Sequence, residues 1–364
     1  MSLDNQITLM MVRSSMAANH WPLVAVVTPV YNGDAFLDLV MSCVQQQTYE
    51  NVIHVVVDNC SSDATPEIID RYRFGRVPLH VVRNSAVLPL RENWKAALSA
   101  VPDDAIFIKI LCADDLISSD CIERMVDATI RDDSVTVVMC HDVFANEVRR
   151  ANLPDQLCFE GMIVAAKMMD ESINWLPYHH MFIRNPDPAQ RAALFDDVPI
   201  HFDLSAVVKV ALTGKMAYIR DVLVYTRWHP GSLTSQQLGP EKLGPLVERY
   251  DILCKFGPRC WDYVELEKRK ADHRARLIRF ALSRIVVGDV TTTRKLIDEF
   301  AKRKVRICYH ELVVSIAKWY AYLKWKRSWS LPHGPQMTED EFVQMSLGRM
   351  RDALMDSSQN AAVT

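Results

Sequence analysis

Leu23-Val24-Ala25-Val26-Val27-Thr28-Pro29-Val30-Tyr31-Asn32-Gly33 is the stretch that decides the fold. Leu23 to Val30 is an unbroken apolar, β-branched run, as expected of a strand covered on both faces. It passes through Tyr31-Asn32-Gly33 into a helical period carried by Phe36, Leu37, Val40, Met41 and Val44. The same strand, loop and helix recur next. Val52 to Val57 is apolar, Asp58 to Asp63 is polar, and Thr65-Pro66-Glu67 opens a helix with Thr65 as N-cap and Pro66 at its first position. Strands are expected again at Leu79 to Val82 and Ala105 to Leu111. Strands alternating with helices specify an α/β fold, a Rossmann-like and mostly parallel sheet with ligands at the carboxyl ends of its strands.

Further strands are expected at Val135 to Cys140, His180 to Ile183 and Ala217 to Tyr225, and a helix at Ser205 to Leu212. From Pro240 to Trp329 the period is helical, with breaks at Gly257-Pro258 and Gly288-Asp289. The resulting division is an N-terminal extension at 1–20, an α/β domain at 21–238, a basic helical extension at 239–333 and a polar, loosely held tail at 334–364. Charge follows this division. Residues 241–330 carry 21 Lys and Arg against 11 Asp and Glu, although the whole chain has a net charge of −3.

At 364 residues the chain is long enough for one large α/β domain and a smaller appendage. Met1 to His20 lacks the apolar core of a secretory signal, and no window is apolar enough for a spanning helix. The nine cysteines are scattered singly, without a CxxC pair. These features point to a reduced, cytoplasmic setting. No nucleic-acid partner is expected.

Acidic residues stand where strands end: Asp58 after the second, Asp114 and Asp115 after the fourth, and Asp203 within Ile200-His201-Phe202-Asp203. Carboxylates so placed converge on one cleft and suit Mn²⁺ or Mg²⁺, a hard cation that needs only one or two of them when a diphosphate completes its shell. An isolated Asp-Asp is equally a turn or helix-start pair. Its place after an apolar strand, with two other loop carboxylates available, favours the cation.

In order along the chain stand Val26-Val27-Thr28-Pro29-Val30-Tyr31-Asn32, then Val57-Asp58-Asn59-Cys60-Ser61-Ser62-Asp63-Ala64-Thr65, then Cys112-Ala113-Asp114-Asp115. This ordered set resembles the family 2 glycosyltransferases over roughly residues 23–235. The resemblance implies the GT-A fold, that of nucleotide-diphospho-sugar transferases, here with a C-terminal helical extension. It also implies inverting transfer from a UDP-, dTDP- or GDP-sugar to a glycan, a lipid-linked acceptor or another hydroxyl in polysaccharide or glycan biosynthesis. Carried over by position, Thr28, Pro29, Tyr31, Asp58 and Asn59 hold base and ribose, with Arg91 and Asn93 in the segment that closes over the nucleotide. Asp114 serves as ribose or second-shell partner, Asp115 as metal ligand and Asp203 as general base. Arg91 has the alternative of an idle helix-start charge, and Asp203 of an N-cap. The family usually has Asp at Asn59, a carboxylate at Cys112 and Glu at Phe202. His229, in Tyr225-Thr226-Arg227-Trp228-His229-Pro230-Gly231-Ser232, matches the family's late loop and is a second candidate metal ligand. His179 and His180 are candidate acceptor contacts.

Two rivals share parts of the pattern. A sugar-1-phosphate nucleotidyltransferase needs a glycine-rich phosphate loop, which Pro29-Val30-Tyr31-Asn32-Gly33 lacks. A non-catalytic carbohydrate- or nucleotide-binding descendant is suggested by Cys112 and Phe202, and opposed by the presence of Asp115 and Asp203. In residues 302–329, Lys302-Arg303-Lys304-Val305-Arg306 precedes Leu312, Ile316, Trp319, Tyr320 and Leu323 at helical spacing. That pattern suits a helix packed on the catalytic domain. Its alternative is peripheral contact with the anionic inner face of a membrane.

Overall fold

The structure is a computed structural model that describes residues 21–130, 132–173, 177–232, 243–286, 288–303, 305, 317 and 335–349. Almost all of the 302–329 segment, with the membrane-contact alternative it carries, lies outside the described residues.

A ten-stranded sheet organises the chain. β1 (Val24–Val30) lies between β2 (Val52–Asp58) and β4 (Phe107–Ile110), and β3 (Leu79–Arg83) flanks β2; all these pairings are parallel. β9 (Phe182–Arg184) then joins antiparallel to β4 and to β6 (Val135–Phe144), and β10 (Lys215–Thr226) runs parallel to β6. β5 (Leu116–Ile117) closes that edge against β10, while the short β7 (Glu147–Arg149) and β8 (Cys158–Glu160) pair with β6 and β10. The chain moves from β1 outward through β2 and β3, then returns to place β4 on the other side of β1. That reversal opens a crevice at the carboxyl ends of β1 and β4.

The continuous apolar run of β1 is explained by helices on both faces. Val24, Val26 and Val30 pack under α1 (Leu37–Gln45), α2 (Thr65–Arg71) and α4 (Cys121–Ile130), with Leu37, Met41, Ile68 and Met125 among their neighbours. Ala25 and Val27 face α3 (Leu90–Ser99), α5 (Gly161–Met169) and α7 (Phe202–Ala211), meeting Trp94, Leu98, Ala165 and Val207. The small α6 (Pro188–Ala192) leads to Phe195, which joins Trp94 and Phe202 at ring separations of 5.1–5.8 Å. Such aromatic pairs contribute about 0.5–1.5 kcal/mol each beyond area burial.

Several boundaries depart from the sequence reading. Thr65 is the first residue of α2, not its cap; its hydroxyl accepts from the Gly33 N–H at 2.8 Å, and Asp63 accepts from the Thr65 N–H at 3.1 Å. His179 and His180 sit in a 3₁₀ turn before β9, because β9 begins only at Phe182. Asp203 lies in the first turn of α7, whose cap is His201. Gly257-Pro258 and Gly288-Asp289 do break the helices, separating α8 (Leu243–Phe256), α9 (Tyr263–Val286) and α10 (Val290–Lys302).

The helical extension is built into the catalytic domain. Ile252, Leu253, Phe256 and Leu266 join the cluster that holds Phe195 and Phe202. The buried Glu248 carboxylate on α8 accepts from the N–H groups of Ile200 (2.9 Å) and His201 (2.7 Å), otherwise unsatisfied donors at the start of α7. Glu248→Ala is therefore expected to cost about 1–3 kcal/mol, read from the urea midpoint, because it leaves those donors buried without an acceptor.

The expectation of a loosely held tail fails for residues 335–349. Phe342, 1% exposed, fills a cluster with Leu116, Val143, Val148 and Tyr225. Ser346 bonds twice to Ser119, and Arg349 donates to Val222 O at 3.1 Å. The apolar Phe342 outweighs the polar composition around it, which alone suggested a solvated end.

Candidate active site

The loops after β1 and β2 are clasped together. The N–H groups of Asn32, Gly33 and Asp34 donate to Ser61 Oγ, Thr65 Oγ1 and Asp63 Oδ2 at 2.8–3.0 Å, and Ser62 N donates back to Asn32 Oδ1. Asn32 (φ 47°) and Cys60 (φ 60°) take left-handed conformations to make this turn. Asp58 is 2% exposed, accepts from Ser61 N at 2.9 Å and meets Arg83 at 3.4 Å. It is held in the crevice wall by its own loop. Tyr31, half exposed, lies at the mouth.

Other expected nucleotide contacts point inward. Thr28 is fully buried and its hydroxyl bonds His54 Nε2 at 2.9 Å, so its side chain cannot touch a ligand. Burial holds that histidine down at about 3, hence neutral. Pro29 is likewise buried in β1. Asn59 accepts from Leu88 N and Asn84 Nδ2 and donates to Leu88 O, each at 2.9 Å. Its amide is spent fastening the segment that leads into α3. Asn84 also donates to Asn93 at 3.0 Å, so Asn93 is part of the same fastening. Arg91 pairs with its neighbour Glu92 at 3.3 Å.

The two adjacent aspartates after β4 face opposite ways. Asp115, 3% exposed, is enclosed: Oδ1 accepts from Arg227 N at 2.8 Å, and Oδ2 lies 2.8 Å from His180 Nε2. Burial pushes its carboxyl up to about 7 against those partners. Asp114 is about one-third exposed and meets His229 Nε2 at 3.1 Å. Burial and the neighbouring Asp115 charge raise it to about 6, opposed by His229. The structure thus brings the expected acceptor contact His180 against Asp115, away from any solvent, and His229 against Asp114. His179 lies 3.4 Å from Thr226 Oγ1.

Among the described residues, Cys112, Asp115 and His180 bring their ligand atoms within 4.8 Å of one another. The thiol is held well above its ordinary value, first by burial and then by Asp115, Asp114 and Asp203, which disfavours the thiolate that a soft metal needs. Asp203 itself is raised to about 6 by burial, opposed by its Leu204 N–H bond and the Arg249 charge. Two residues not singled out from the sequence support this floor. Lys109, fully buried in an otherwise apolar strand, donates to His180 O at 2.5 Å. Arg227, 8% exposed, spans Asp114 O, Asp115 and Glu339.

Residues 25–194 match the family described as Glycosyl transferase family 2. Over those residues the chain is similar to the family 2 glycosyltransferases. It is 23% identical over 226 residues to the glycosyltransferase GlyG of Streptococcus pneumoniae, covering 58% of this chain and 72% of that protein. It is 33% identical over 81 residues to the putative teichuronic acid biosynthesis glycosyltransferase TuaG of Bacillus subtilis, covering 22% of this chain and 30% of that one. Among solved structures, S. aureus TarS 1–349 in complex with UDP is similar at a TM-score of 0.50 with 16% identity, over 72% of this chain and 73% of that one. The same TarS segment with UDP-GlcNAc gives 0.50 and 16%, over 82% and 80%. The chain accordingly has the GT-A fold expected from its sequence. No helix among its described residues is long and apolar enough to cross a membrane.

Proposed function

We propose that this glycosyltransferase inverts the anomeric centre of a nucleoside diphosphate sugar as it transfers that sugar to a hydroxyl acceptor during glycan assembly. The observation that carries the reading is the placing of Asp114 and Asp115 just after β4, beside Asp58 at the end of β2, with Asp203 in the first turn of α7. UDP and UDP-GlcNAc in the TarS structures, and teichuronic acid biosynthesis in the name of TuaG, agree with a nucleotide-sugar donor and a polysaccharide product.

Asp114 and His229 are the pair suited to Mn²⁺ or Mg²⁺: a carboxylate oxygen and an imidazole nitrogen, both partly exposed, at the crevice. This exchanges the roles that the sequence suggested for Asp114 and Asp115, because both oxygens of Asp115 are already bonded within the protein. A divalent cation there supplies charge neutralisation for the departing diphosphate. Asp58 and Tyr31 line the nucleoside side. Asp203 takes the proton of the acceptor hydroxyl; that oxygen forms the new glycosidic bond as the bond from the anomeric carbon to the diphosphate oxygen breaks on the opposite face. Its raised carboxyl suits this work near neutral pH. The test is a panel of UDP-, GDP- and dTDP-sugars with Mn²⁺, reading release of nucleoside diphosphate and, by NMR, the anomeric configuration of the product. Retention of configuration, or no turnover of any donor, contradicts the reading.

A further inference from the structure

We propose that Glu339 is a positioning residue of the transfer site, which makes residues 335–349 a working part of the enzyme. The inference rests on the reading above that Asp114 and His229 hold the cation. Arg227 is the link. Its backbone N–H donates to Asp115 Oδ1 at 2.8 Å, and its Nη1 donates to the Asp114 carbonyl. Its Nε donates to Glu339 Oε2 at 2.8 Å, and Nη2 donates to Glu339 Oε1, a two-pronged pairing that fixes the guanidinium plane. Phe36 forms the floor beneath, 4.9 Å from the guanidinium carbon and 4.9 Å from the His229 ring centre.

Glu339 does not touch the donor side itself. It is anchored from behind, since residues 339–349 are helical and Phe342 is buried against β5 and β10. Its carboxylate neutralises a cation that is 8% exposed, is bonded to the Asp114 carbonyl, and belongs to the residue whose N–H holds the Asp115 carboxylate. Without Glu339 the Arg227 guanidinium keeps its charge in the same dry place, still bonded to the Asp114 carbonyl and within the field of Asp115. Arg227 then competes with the divalent cation for the oxygen of Asp114 and draws the His229 segment with it. The contact spans 112 residues of sequence, so it places the end of the chain in control of the site.

The experiment is a Mn²⁺ titration, on the full chain, of calorimetric binding of whichever of UDP, GDP or dTDP the wild type takes. The variants are Glu339→Gln, Glu339→Asp and Asp114→Ala, each with its unfolding midpoint measured without metal. Glu339→Gln is expected to weaken apparent Mn²⁺ affinity by about tenfold, with the midpoint little changed, and Glu339→Asp to restore most of it. Wild-type Mn²⁺ affinity in Glu339→Gln, beside a loss in Asp114→Ala, overturns the positioning role alone. Equal losses in both Glu339 variants together with a lowered midpoint overturn it in favour of plain structural damage. Nucleotide binding by the wild type that ignores Mn²⁺ overturns both this inference and the cation reading beneath it.

Discussion

Asp114→Ala is expected to lower kcat/KM by about a hundredfold or more and to abolish the response of donor binding to Mn²⁺, because it removes the one carboxylate of the aspartate pair that reaches the crevice. Asp115→Ala is expected to fail differently. It leaves the Arg227 N–H and His180 without their acceptor inside the protein, so it costs about 1–3 kcal/mol of stability as well as activity. Urea unfolding beside steady-state kinetics separates the two. An Asp114 variant that turns over normally with Mn²⁺, while Asp115→Asn loses cation dependence but not stability, would return the ligand role to Asp115.

Asp203→Asn is expected to reduce kcat by about 10²–10⁴-fold with little change in the KM for donor. In the wild type the base must be unprotonated, so with a folded value of about 6 activity falls as pH drops through 6. Stability should move the opposite way. The folded value lies above the ordinary 3.8, so the carboxyl favours folding in its protonated form; that contribution is complete below about pH 4 and lost as pH rises through 6. Asparagine, which never ionises, should therefore make the variant more stable than wild type at pH 8, an advantage that disappears near pH 3. A variant less stable at every pH, with kcat intact, would make Asp203 a structural residue of α7.

The sheet was legible because β1 is apolar and β-branched along almost its whole length, a pattern typical of a strand with helices on both faces. The carboxylates were legible because strand ends point at the crevice, so Asp58, Asp114 and Asp203 could be named from position. Direction was not. Adjacent residues in a non-repetitive turn have no fixed period, and nothing in Asp114-Asp115 says which side chain faces inward; the partners that decide it, His180 and Arg227, come 65 and 112 residues later than Asp115. Thr28 and Asn59 raise a similar difficulty. Their side chains suit a nucleotide, but His54 and the Asn84–Leu88 segment claim them first. Lys109 did leave a signal, as the one charge in Ile106 to Leu111. The tail left a weaker one, since Phe342, Val343 and Met345 among charged residues do not by themselves announce a docked helix.

Phe202 shows the same lesson. The sequence reads it as a lost carboxylate; in the fold it is 4% exposed and packed edge-on against Trp94 and Phe195, helping to fix the start of α7 together with Glu248. The single remaining carboxylate, Asp203, is thereby set on a rigid turn.

On the proposed function, a nucleoside diphosphate and a divalent cation meet at Asp58 and Asp114. The most direct test is calorimetric titration of UDP, GDP and dTDP into the intact protein, with and without Mn²⁺. One nucleotide binding only with Mn²⁺, and lost in Asp114→Ala, is the predicted result. Failure of all three to bind with Mn²⁺ present would contradict the account and leave the crevice without a donor.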